Sequence, residues 1–93
     1  MTTQELRDLC LTDSRLKPSW LNLWDAMLAV AEVRTRVAFA KHAKKLPEPI
    51  DESELVRLMK RFHSQRSTFI DAARQNNIST KPPTLDELIE IAT

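Results

Sequence analysis

The chain has no glycine, no tyrosine and a single cysteine, with three phenylalanines and two tryptophans as its whole aromatic content. Glycine is roughly 7% of an average protein. Its absence removes the motifs that need backbone at positive φ without a Cβ, namely the phosphate-cradling loop, the GxGxxG turn and the nucleophile elbow. The favoured two-residue hairpin turns go with them, which argues against a meandering β-sheet. Cys10 has no partner for an internal disulfide, and nothing points to an oxidising compartment. The longest apolar run, Ala26 to Ala31, is far short of the roughly 20 residues that span a bilayer. The opening Met-Thr-Thr-Gln-Glu-Leu-Arg-Asp lacks a signal-peptide core. The expectation is a cytoplasmic protein with no membrane partner.

Site chemistry is equally scarce. With one cysteine and neither an HExxH nor a CxxC spacing, no metal or other cofactor is expected. His63 and Ser64 are adjacent, and neighbours on a helix point about 100° apart, so they are not a base and its nucleophile. Asp13, Asp25 and Asp71 show no spacing that pairs carboxylates. Cys10, between Leu9 and Leu11, reads as a small core residue. The reading is therefore not an enzyme, with no catalytic residue and no small-molecule substrate.

What the 93 residues do contain is helical periodicity, interrupted by prolines at 18, 47, 49, 82 and 83. This length fits one domain, 1–93. A short first helix over Thr3–Leu11 starts at a capping box of Thr2 and Glu5. A second helix runs from about 18 to 45, with Pro18 in its first turn. Its broad apolar face comprises Trp20, Trp24, Met27 and Ala31, flanked by Leu23, Val30, Val33, Val37 and Ala40. A third, over about 51–76, has Asp51 as its cap, Glu54 completing the box and Ile50 with Leu55 as a hydrophobic staple. Leu55, Leu58, Met59, Phe62, Phe69 and Ala73 make its stripe, and Asn76-Asn77 its stop. A fourth, Leu85–Ala92, is capped by Thr84 with Glu87. The expected fold is an all-α bundle: a long antiparallel hairpin with short helices packed at each end. A level linker would set residue n of the second helix beside residue 97 − n of the third.

Charge is nearly balanced at +1 overall but is laid down in blocks. Residues 26–46 and 57–74 are each +4, while 47–56 are −4. The level register brings Arg34, Arg36 and Lys41 beside Arg57, Lys60 and Arg61 as a basic belt. Such a belt suits an acidic protein surface or a phosphate backbone, or is only a solvated helix face. Trp20 and Trp24 are either core or apolar anchors for a partner. A helix-turn-helix over Thr68–Ile91 is disfavoured, because Pro82 and Pro83 interrupt the second helix and Asp86 and Glu87 would meet phosphates. The expected function is a small protein–protein interaction module: an adaptor, inhibitor or assembly factor, of the kind phages and mobile elements carry. The alternative is a nucleic-acid-binding regulator. The apolar surplus on the second helix makes a homodimer a further candidate.

Overall fold

The computed structural model describes residues 2–43, 52–79 and 81–92. Among them are four helices and no strand: α1 (Thr3–Thr12), α2 (Lys17–Ala43), α3 (Glu52–Gln75) and α4 (Leu85–Ala92). The all-α expectation holds, and no described helix is long and apolar enough to cross a membrane. The Asp51 cap, the Ile50 staple and the lysines at 44 and 45 lie outside the described residues.

Local chemistry accounts for the helix ends. Thr2 Oγ1 accepts from the Glu5 amide and donates to Glu5 Oε1, both at 3.1 Å, a capping pair that satisfies the free Glu5 N–H. After α1 the chain reverses on Asp13. Its Oδ1 accepts from the Arg15 amide at 2.9 Å, and its carboxylate holds the Arg15 guanidinium at 3.0 Å. Those bonds keep the Asp13 carboxyl below its usual range. The reversal tucks Leu16 into the core, fully buried. The α3 terminus is a Schellman stop: Asn77 takes φ 57, its amide bonds Arg74 O, and Ile78 N reaches Ala73 O at 2.9 Å. Asparagine serves where glycine is absent. At α4, Glu87 N bonds Thr84 Oγ1 at 3.2 Å and Thr84 Oγ1 bonds Glu87 Oε1 at 3.0 Å.

α2 is the central element, packed along α3 and against α1 and α4, which also touch each other. The core joins Leu6, Cys10, Leu16, Trp20, Leu23, Met27 and Val30 with Phe62, Phe69, Leu85 and Leu88. Contacts of Trp20 with Phe69 and of Asp25 with Arg61 run in opposite senses along α2 and α3, so the two helices are antiparallel. The register differs from the expectation: residue n lies near 86 − n to 89 − n, not 97 − n. The level-linker assumption fails because α2 runs roughly two turns past the level at which α3 begins. The molecule is accordingly long, 49 × 23 × 19 Å, with a radius of gyration of 15.2 Å, against about 12 Å for a globular chain of this size.

Candidate interaction surface

The tryptophan pair belongs to the core. Trp20 is 2% exposed, stacked on Trp24 at 5.9 Å and edge-on to Phe69 at 5.7 Å. Trp24 is half-buried, and its open face carries the Arg7 guanidinium 5.5 Å from the ring centroid, a cation–π contact. Neither indole is presented to a partner as an exposed anchor.

The six belt cations do not share one face. Arg34 and Arg36 are two residues apart on α2 and so point to opposite sides of it. Arg34 Nη1 lies 3.5 Å from Asp86 on α4, and Arg36 Nη2 lies 3.4 Å from Glu32 one turn back. The side chain of Lys41 lies outside the described residues. Arg57, Lys60 and Arg61 do form one exposed face of α3, being spaced i, i+3 and i+4. Arg61 within it is held by Asp25 at 2.8 Å. Arg57 and Lys60 make no ion pair among the described residues.

Beside those two cations lies apolar surface. Leu55, Leu58 and Met59 continue the line of Phe62 and Phe69 along α3, yet they are only half-buried, and Val56 is 53% exposed. By this register Leu58 and Met59 lie level with Met27 and Val30 and pack at the edge of the core cluster, while Leu55 lies nearer the level of Arg34.

Other groups are committed to structure. Arg66 Nε donates to Pro83 O at 2.8 Å, tying the Pro82-Pro83 segment to α3. Glu87 Oε2 accepts from Thr3 Oγ1 at 2.9 Å, linking α4 to α1. That bond and those from Thr84 hold the Glu87 carboxyl below its ordinary range. Burial, with help from Asp13, pushes the Cys10 thiol up to about 11. A cleft of about 170 Å³ at the far end is lined by Phe69, Ile70, Arg74, Ile78 and Pro82. It is smaller than the roughly 300 Å³ at which small-molecule sites begin. Among the described residues no cluster of His, Cys, Asp and Glu could hold a metal ion.

No family resemblance adds to this geometry. No family model matches the chain, and no curated protein and no solved structure is similar to it. Sequence reasoning missed Leu16, because a turn residue has no periodicity to mark it. It also missed the structural duty of Arg66, since an arginine that bonds backbone carbonyls looks like any exposed cation in sequence.

Proposed function

We propose that the protein is a non-enzymatic interaction module. On this reading its long helical hairpin, capped at one end by α1 and α4, occupies the surface of another protein through the opening turns of α3. One observation carries it. Leu55, Leu58 and Met59 extend the core line of α3 but stay half-buried, next to Val56 at 53% exposure and the cations Arg57 and Lys60, which make no ion pair among the described residues. Contiguous apolar surface rimmed by charge marks a protein contact more often than a solvated face. The partner surface it fits is apolar with an acidic rim.

The alternative, phosphate binding by the same cations, is supported less well. Three of the six belt arginines and lysines already bind carboxylates of this chain. Without tyrosine, and with Phe62 and Phe69 buried, Phe39 is the one phenylalanine left exposed, a thin supply for a platform of stacked bases.

The test combines two measurements. Labelled single- and double-stranded oligonucleotides are titrated at low and moderate salt, and tagged protein is used to capture partners from its native host. Retention of a protein by wild type, and its loss with the Val56→Asp/Lys60→Glu variant of unchanged helicity, is the expected result. Oligonucleotide binding that collapses with salt, and weakens with Arg57→Ala, would replace this reading with the nucleic-acid one.

A further inference from the structure

A second apolar feature lies on α2, apart from the α3 surface. Leu21, Leu28 and Phe39 are 46%, 45% and 72% exposed. At 100° per residue the three fall within about 20° of one line on the helix. That line lies opposite the buried positions Leu23, Met27 and Val30. From Leu21 to Phe39 it extends about 27 Å at 1.5 Å per residue. Asp25, Glu32 and Arg36, all exposed, stand along the same strip. A surface helix ordinarily keeps its outer face polar, whereas α2 sets three large apolar side chains among the charges of its outer face.

We infer that this strip is the seam of an antiparallel homodimer, α2 against α2 of a second copy, with the two-fold axis level with residue 30. Such an axis sets residue n opposite residue 60 − n and repeats every contact twice. Leu21 then meets Phe39 of the second copy, and Leu28 meets the methylenes of Glu32. Asp25 falls within one residue of Arg36 of the second copy. The charges along the strip are thus self-complementary in this direction. A parallel pairing would instead set Asp25 beside Asp25, Glu32 beside Glu32 and Arg36 beside Arg36. A second copy supplies these charges at these spacings because it carries the same strip. The intramolecular bonds of Asp25 to Arg61 and of Arg36 to Glu32 are surface pairs, open to sharing with a neighbour.

Size sets the strength. The three side chains expose on the order of 300 Å² of apolar surface per copy, so with its polar rim the interface falls near the lower end, about 1,200 Å², of stable complexes. A micromolar dimer is the expectation. The seam leaves the α3 surface open, so failure of either proposal leaves the other standing.

Sedimentation equilibrium across low to high micromolar protein should show mass rising from 10.7 kDa toward twice that value. Phe39→Glu should weaken association at least tenfold with helicity unchanged. Direction is read by cross-linking: under mild oxidation, Leu21→Cys protein mixed with Phe39→Cys protein should give a disulfide-linked pair. Leu21→Cys alone should not, its two copies lying about 27 Å apart along the seam. Cys10, being fully buried, stays out of the exchange, which wild type under the same oxidation verifies. A strictly monomeric chain, an unaffected Phe39→Glu variant or efficient Leu21–Leu21 cross-linking would each overturn the proposal.

Discussion

The two halves of the α2–α3 pair are built differently. From Trp20 to Val33, α2 buries six residues against α1, α3 and α4, and α3 answers with Phe62, Phe69 and Ala73. From Arg34 to Phe39 no residue of α2 is buried, and from Ser53 to Arg61 none of α3 is. The helices continue regardless. Residues 34–43 hold three alanines, two arginines and a lysine and no glycine or proline, so local propensity extends what packing does not. One half is held by its core, the other by its backbone. An element freed from core duty is where a small protein can keep surface for a partner.

The sharpest way to break this contrast is truncation on each side of it. Trp20→Ala removes an indole that stacks on Trp24 and meets Phe69, and should cost about 3–5 kcal/mol. On a chain of this size that is a fall in Tm of well over 10 °C, enough to leave a marginal fold largely unfolded. Val56→Ala should change stability by less than about 0.5 kcal/mol. Thermal melts followed by circular dichroism decide it. Comparable losses from the two variants would mean that the far half carries core after all.

A thiol probe should give the next largest difference. With its thiol pushed up to about 11 and no exposed surface, Cys10 should react with an alkylating reagent near pH 8 at least a hundredfold more slowly in the native protein than in urea. A Val56→Cys thiol should react at close to the unfolded rate. The raised Cys10 value also has a signed consequence. Thiol ionisation favours the unfolded chain as pH climbs past 9.0 toward the folded value, so stability should decline in that window. Rapid native labelling of Cys10 would show that α1 opens readily.

How far the sequence discloses this contrast depends on the kind of signal. Caps are local chemistry, and the Thr2–Glu5 and Thr84–Glu87 pairs and the Asn77 stop stand where the residues imply. Stripe membership is also legible, since Phe62, Phe69, Ala73, Leu85 and Leu88 are buried as their spacing implies. Burial depth is not, because Leu55 and Met59 sit on the same line as Phe69 yet stay at the edge of the core cluster. The opposite helix is set by register, and register depends on three-dimensional packing around Trp20 rather than on linker length. The belt dissolved for the same reason: Arg34 and Arg61 are near each other in the sequence arithmetic but find Asp86 and Asp25 in space.

Acid should act on the packed half through Glu87. Its carboxyl is held below the ordinary value by Thr3 and Thr84, so the stabilisation is fully present above about pH 4.5 and is lost as pH falls through the folded-state value. Denaturation midpoints of wild type and Glu87→Gln should differ at neutral pH and converge as Glu87 protonates. Thr3→Val should reproduce part of the loss at neutral pH while leaving the α4 box intact. Divergence that grows toward low pH would reverse the sign and refute the α1–α4 link.

The smallest effects should come from the ion pairs that cross between elements. Arg61 to Asp25 joins α3 to α2 at 2.8 Å, with side chains 46% and 72% exposed. Arg34 to Asp86 joins α2 to α4 at 3.5 Å, with the carboxylate 90% exposed. Solvent screens both, and exposed pairs are worth about 0–1 kcal/mol. Double-mutant cycles with alanine at each position should give a larger coupling for the shorter pair, with neither exceeding about 1 kcal/mol and both shrinking in molar salt. The comparison turns on Arg34, which sits where α2 leaves the packed bundle. A coupling there of several kcal/mol, insensitive to salt, would mean that α4 anchors the far half of α2 and that the boundary between the two halves lies closer to Phe39 than to Val33.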